Sequence, residues 1–264
     1  MKANLLRVAI QERTALIGAL VTVPGWLSPR VLAQAGYGML MFDWQHEPFT
    51  EASMAESLAS GVAAGCVCLV RTAARRPDQI GFVLDQGAHG VVVPLVNSSA
   101  DAQAAVAACR YPPRGNRSVG GNRNHLLHGR DYFSAADDDV ICALQIEHID
   151  AVAAIDEILA VPGVDAVVPG PVDMTRSLGR GASYASLREP PPETVEGLRR
   201  VREACQRAGV LYIPPCESKV DAETAARNGH CVVLSGSDIS LLTRAARDQI
   251  KTMKPLLEAR PLGT

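Results

Sequence analysis

Short apolar runs alternate with helical patterns eight times along this 264-residue chain. The runs lie at 16–23, 39–42, 66–70, 90–93, 140–146, 164–168, 210–213 and 231–234. Each is bounded by Gly, Pro or polar residues and reads as a buried strand. Helical spacing fills 29–34, 50–64, 77–86, 99–109, 151–159, 193–208, 218–228 and 237–253. Ser28 is expected to cap the first of these helices, with Pro29 at its first position. Eight strand-then-helix units without a linker predict an α/β fold, a single (β/α)8 TIM barrel over 1–264. An open doubly wound sheet is the alternative, but no Gly-x-Gly-x-x-Gly follows the first run. Two polar stretches, 111–139 and 175–192, are too long for ordinary connections and are expected to be functional loops or insertions.

A barrel of this kind builds its active face from the carboxyl ends of its strands. The second run, 39–42, ends in Asp43 and His46, with Glu47 and Pro48 after them. Arg71 ends the third run, Gln145 and Glu147 the fifth, and Asp173 follows the sixth. Glu147 and Asp173 together suit a hard divalent ion that draws its other ligands from water and substrate. Each carboxylate alone fits equally well as a helix cap, and the residues leave both readings open. The Gly170-Pro171-Val172-Asp173 turn can present free amides to a carboxylate ligand. His46 is a candidate base because imidazole titrates near neutrality. Arg71 is a candidate for holding a developing enolate oxygen.

A formal net charge of −2 argues against nucleic acid or an acidic membrane surface as partner. Seven scattered cysteines form no C-x-x-C pair and point to a reducing, cytoplasmic setting. Cys66 and Cys68 fall on one side of a strand and are expected in the core. The first residues hold no apolar segment of signal-peptide length, and no window is long enough to span a membrane.

Six motifs stand in a characteristic order: Asp43-x-x-His46-x-Pro48, Val70-Arg71, Val83-Leu-Asp-x-Gly87, Arg110-Tyr-Pro-Pro-x-Gly115, Gln145-Ile-Glu147 and Gly170-Pro-x-Asp173. In these the chain resembles the HpcH/HpaI family, the class II pyruvate-dependent aldolases of the 4-hydroxy-2-oxoheptanedioate aldolase type. The resemblance runs from about residue 5 to 250. It implies a TIM barrel assembled as a homohexamer, a trimer of dimers with an exchanged C-terminal helix. It implies a divalent metal (Mg²⁺, Mn²⁺ or Co²⁺) on Glu147 and Asp173. The substrates would be a small 2-oxo acid, pyruvate or hydroxypyruvate, and an aldehyde. Gln145 and the Gly170, Pro171, Val172 and Asp173 backbone would hold the 2-oxo acid. Arg71 would meet its keto oxygen and His46 would be the base, with Asp43 beside it. Asp85 would reach the His46 region from a neighbouring subunit.

Trp44, Gln45 and Glu47 depart from the family pattern and are where a particular acceptor is expected to be read. Two other activities suit the same motifs. One keeps the metal site for oxaloacetate-type condensation or decarboxylation, as in citrate-synthase-like or macrophomate-synthase-like members. The other is a small-molecule binding protein without catalysis.

Overall fold

The computed structural model describes residues 4–179 and 190–258. Eight strands form one parallel sheet: β1 Leu16–Val21, β2 Met39–Asp43, β3 Val67–Arg71, β4 Gly90–Val93, β5 Ile141–Ile146, β6 Ala166–Pro169, β7 Leu211–Tyr212 and β8 Val232–Ser237. Neighbours pair in chain order from β1 to β7, and β8 returns to pair with β1. Between β7 and β8 the ladder shrinks to a parallel bridge from Pro215 to Leu234. Cys216 N–H donates to Leu234 O at 2.7 Å, and Leu234 N–H to Pro214 O at 3.0 Å. Two successive prolines, which carry no N–H, shorten β7. The ring is thus a (β/α)8 TIM barrel, as its alternating pattern predicts.

Side chains divide by strand parity into two cores. Met39, Met41, Val67, Leu69, Val92, Ile141, Ala143, Ala166, Val168, Ile213, Val232 and Leu234 fill the barrel interior. The intervening residues, such as Leu40, Phe42, Cys68, Val70, Leu144 and Val167, pack outward against the helices. Cys66 and Cys68 both belong to that outer core, as expected. The barrel floor is closed by α1 (Leu5–Glu12), which presents Leu6 and Ala9 to the interior. This helix goes unanticipated from the sequence, because eight residues are too few for periodicity to declare. Leu6 is fully buried, and truncating it to Ala would cost about 2–5 kcal/mol.

The outer helices are α2 (Leu27–Gln34), α3 (Glu51–Ala63), α4 (Pro77–Asp85) and α5 (Ser99–Cys109), then short α6 (Asn122–His128) and α7 (Tyr132–Asp139). After β5 come α8 (Ile149–Ala153) and α9 (Ile155–Leu159), then α10 (Pro171–Ser177), α11 (Pro192–Ala208), α12 (Lys219–Arg227) and α13 (Asp238–Glu258). Three local expectations change. The segment 111–139 is not a plain loop, since α6 and α7 lie in it. The helix expected over 151–159 is two short helices meeting at Ala154. Ser28 lies inside α2 rather than capping it, and its hydroxyl donates to Asp238 Oδ2 at 2.5 Å. Of the stretch 175–192, its start is the last turn of α10, while 180–189 lies outside the described residues.

Candidate active site

Carrying the inward parity of each strand two residues further generates the site. Met39 and Met41 are followed by Asp43, Val67 and Leu69 by Arg71, Ile141 and Ala143 by Gln145 and then Glu147, and Ala166 and Val168 by Gly170. The same alternation that fills the barrel with apolar side chains thus delivers polar ones to its mouth.

These groups touch in series. Arg71 Nε donates to Asp43 Oδ1 at 2.9 Å and Nη2 to Oδ2 at 2.5 Å. Arg71 Nη1 donates to Gln145 Oε1 at 3.4 Å, and Gln145 Nε2 donates to Glu147 Oε2 at 2.5 Å. Glu147 Oε1 accepts from the Leu95 N–H at 2.8 Å. Asp43, Gln145 and Glu147 are all buried. Gly170 closes in behind them: a Cβ there would stand 2.5 Å from Glu147 Cβ and 2.9 Å from Oε2. Only glycine leaves that carboxylate its place.

Asp173 occupies the first turn of α10 and is exposed. That turn leaves the Val172 and Asp173 N–H groups outside the helical ladder. Burial pushes the Glu147 carboxyl above its ordinary range and the Asp173 charge pushes it the same way, against the hydrogen bonds from Leu95 and Gln145. A buried carboxyl whose ionisation is made costlier by burial and by a second carboxylate forms, with that neighbour, a donor set that a hard divalent ion would relieve. Among the described residues no group of three or more His, Cys, Asp or Glu gathers as a metal cluster. The pair therefore suits an ion that keeps water and substrate oxygens in its shell.

His46 is exposed and follows the strand in a short loop. Asp43 Oδ1 holds that loop by accepting from the N–H groups of Gln45 at 3.2 Å and His46 at 3.4 Å. Trp44 anchors it further. Its indole Nε1 donates to Phe49 O at 2.9 Å and its ring lies 5.8 Å from that of Phe82 on α4. Trp44 is thus engaged in packing within this loop.

Asp85 does not join the mouth within one chain. It ends α4, and a helix returning from β3 to β4 finishes at the opposite end of the barrel from Arg71. Its carboxylate accepts from Arg117 Nη2 at 2.8 Å. A groove of about 430 Å³ on the outside of the barrel is lined by Phe82, Asp85, Asn116 and Arg117. The Arg110–Gly115 motif is likewise remote from the mouth. Arg110 pairs with Asp165 at 3.0 Å, and a Cβ on Gly115 would lie 2.4 Å from two carbonyl oxygens.

One contact lacked any sequence signal. Leu95 follows β4 in the left-handed region, φ 54°, and its N–H donates to Glu147. Leucine rarely adopts that conformation, so nothing in the residue type announces it.

The HpcH/HpaI aldolase/citrate lyase family model matches residues 28–245. A hydroxypyruvate/pyruvate aldolase of Rhizorhabdus wittichii is 34% identical over 253 residues, covering 96% of this chain and 100% of that one. A 4-hydroxy-2-oxovalerate aldolase of Rhodococcus jostii is 33% identical, covering 91% and 92%. A crystal structure of an HpcH/HpaI aldolase/citrate lyase family protein from Burkholderia cenocepacia superposes with a TM-score of 0.87 at 28% identity, covering 96% and 100%. The citrate synthase SbnG gives a TM-score of 0.86 at 25% identity, covering 96% and 98%. Strand-end groups, motif order and these likenesses agree: the chain belongs to the HpcH/HpaI aldolase/citrate lyase family and is an enzyme of the aldolase type.

Proposed function

We propose that the protein is a metal-dependent aldolase, a single domain over 1–264, that joins and cleaves 4-hydroxy-2-oxo acids. Its products in cleavage are pyruvate, or hydroxypyruvate, and an aldehyde. The observation that carries this reading is the unbroken series Asp43–Arg71–Gln145–Glu147 across the barrel mouth, with the Asp173 carboxyl near enough to its end to act on Glu147. The relatives named as pyruvate and hydroxypyruvate aldolases support the choice of 2-oxo acid.

Glu147 and Asp173 would hold Mg²⁺, Mn²⁺ or Co²⁺, which supplies a Lewis acid to the 2-oxo acid when bound. The chain's own groups do the rest. In the turn that Gly170 and Pro171 open, the free N–H groups of Val172 and Asp173 would receive the substrate carboxylate. Arg71 offers a fixed positive charge to the keto oxygen as it becomes an enolate oxygen. Asp43 keeps that guanidinium in one orientation, and Gln145 ties it to Glu147. In cleavage His46 takes the proton from the 4-hydroxyl as the C3–C4 bond breaks; in condensation it takes one from C3.

Asp85 would steady the His46 imidazole of a neighbouring subunit, from the groove in which it lies. Such an arrangement needs a homo-oligomer, and the hexamer with exchanged C-terminal helices satisfies it. The helix itself supports this: α13 has no buried residue over 21 positions, while Ile239, Leu242, Ile250, Met253, Leu256 and Leu257 stand exposed. Unpaired cysteines fit a reducing cytoplasm. Among the described residues no helix is long and apolar enough to cross a membrane.

A second reading keeps the enolate chemistry but uses oxaloacetate-type substrates; the likeness to a citrate synthase favours it. Family membership among named aldolases sets aside a non-catalytic binding protein.

The test is proton exchange on pyruvate in D₂O, followed by NMR. The methyl signal is expected to disappear with Mn²⁺ present and to persist without it, or with Glu147→Gln. Persistence under all conditions would defeat both enolate readings. Where exchange occurs, an aldehyde panel run beside oxaloacetate separates them.

A further inference from the structure

Two non-glycine residues among those described have a positive φ. Arg13 is one, and it closes α1 as an ordinary left-handed cap. Leu95 is the other, and it ends no helix. It sits at the barrel mouth between Pro94 and the fully buried Val96, with its own side chain half exposed. A leucine held there costs energy that its surroundings must offset. The offset comes from both faces of its peptide units. Its N–H donates to Glu147 Oε1 at 2.8 Å, and its carbonyl accepts from Arg75 Nη1 at 2.9 Å.

Arg75 is itself braced from outside the barrel. It pairs with Asp101 at 2.5 Å, in the first turn of α5. Asp101 in turn accepts from Asn97 N–H at 3.0 Å and donates its own N–H to the Ser98 hydroxyl at 3.2 Å. A line of contacts therefore runs from α5 through Arg75 and the Leu95 turn to one oxygen of Glu147. The other oxygen is set by Gln145. Each carboxylate oxygen has one fixed donor and lone-pair capacity left over.

We infer that Arg75 is a positioning residue that clamps the strained Leu95 turn so that Glu147 is aimed for binding a divalent cation. The inference rests on the metal-holding role proposed for Glu147. Outer partners that orient a ligand typically change metal affinity by about 10- to 100-fold. Arg75 is 42% exposed, so its loss leaves no buried charge and the fold is retained.

Metal-free protein is titrated with Mn²⁺ and the free ion is read by electron paramagnetic resonance. Arg75→Met is expected to raise the Mn²⁺ Kd about tenfold with an unchanged melting temperature. Its kcat is expected to return at saturating Mn²⁺, and Arg75→Lys to recover part of the affinity by restoring one donor. Asp101→Asn, which loosens the brace and leaves Arg75 in place, is expected to lie between wild type and Arg75→Met. Wild-type Kd in Arg75→Met overturns this inference alone, provided that the wild type binds Mn²⁺ and Glu147→Gln does not. Absence of Mn²⁺ binding by the wild type overturns this inference and the proposed metal site together.

Discussion

Arg71 and Asp43 meet edge to edge, Nε on Oδ1 at 2.9 Å and Nη2 on Oδ2 at 2.5 Å. They are register partners on adjacent parallel strands, and their side chains are 13% and 4% exposed. A planar fork fits this pairing and an ammonium does not. Arg71→Lys keeps the charge but loses both the second bond to Asp43 and the reach to Gln145. The expected outcome is a kcat lowered by about 100-fold or more with unchanged circular dichroism. A kcat near wild type would remove Arg71 from the enolate site.

Asp165 is held by three donors: Arg7 Nη2 and Arg110 Nη2, both at 3.0 Å, and the Cys142 N–H at 2.8 Å. The Arg110 side chain is 3% exposed. Removing the negative charge with Asp165→Asn strands a buried guanidinium. The cost expected from chemical denaturation is about 3 kcal/mol, with kcat preserved at temperatures where the variant stays folded. A large loss of kcat with full stability would instead tie the Arg110–Gly115 motif to chemistry.

His89 is kept neutral. Its Nδ1 accepts from the Cys68 N–H at 3.1 Å, and its ring stands edge-on to that of His128, 4.9 Å between centroids. Burial, and then His128, push its pKa down from 6.5 to about 3. Between those values the unfolded chain binds a proton that the folded chain does not. Stability is therefore complete above pH 6.5 and is lost as pH falls toward 3. In His89→Asn the amide oxygen still accepts from Cys68, and the midpoint of acid unfolding is expected to move to lower pH. An unmoved midpoint would mean that other groups govern acid unfolding.

Beyond Leu241, which packs on the outer core, α13 presents Leu242, Ile250, Met253, Leu256 and Leu257 outward. Ile250→Arg with Met253→Arg should therefore leave the barrel folded while lowering the particle mass measured by light scattering, and His46-dependent activity should fall with it. An unchanged mass would show that this face is not the seam between subunits.

Most of the barrel was legible because its strands are short apolar runs closed by Gly and Pro. Asp43, Arg71, Gln145 and Glu147 were legible for the same reason: they continue a strand's inward parity by one or two steps. Less was legible where helices are short. Neither α1 nor the pair α6 and α7 has the length for a 3.6-residue period to stand out. Cap chemistry also misled at Ser28, whose hydroxyl answers to Asp238, 210 positions away.

The chain's own order of residues therefore determined the eightfold alternation, the parity of each strand and the identity of the groups delivered to the mouth. These depend on local periodicity, which a linear pattern contains. Only the tertiary structure decided which of those groups touch. It joined Arg71 to Asp43 and Gln145 to Glu147, sent Asp85 to the far end of its helix, and brought the Leu95 N–H onto Glu147. Such contacts are set by barrel closure and by the competition of distant donors for one carboxylate, and neither is written in residues that are neighbours in sequence.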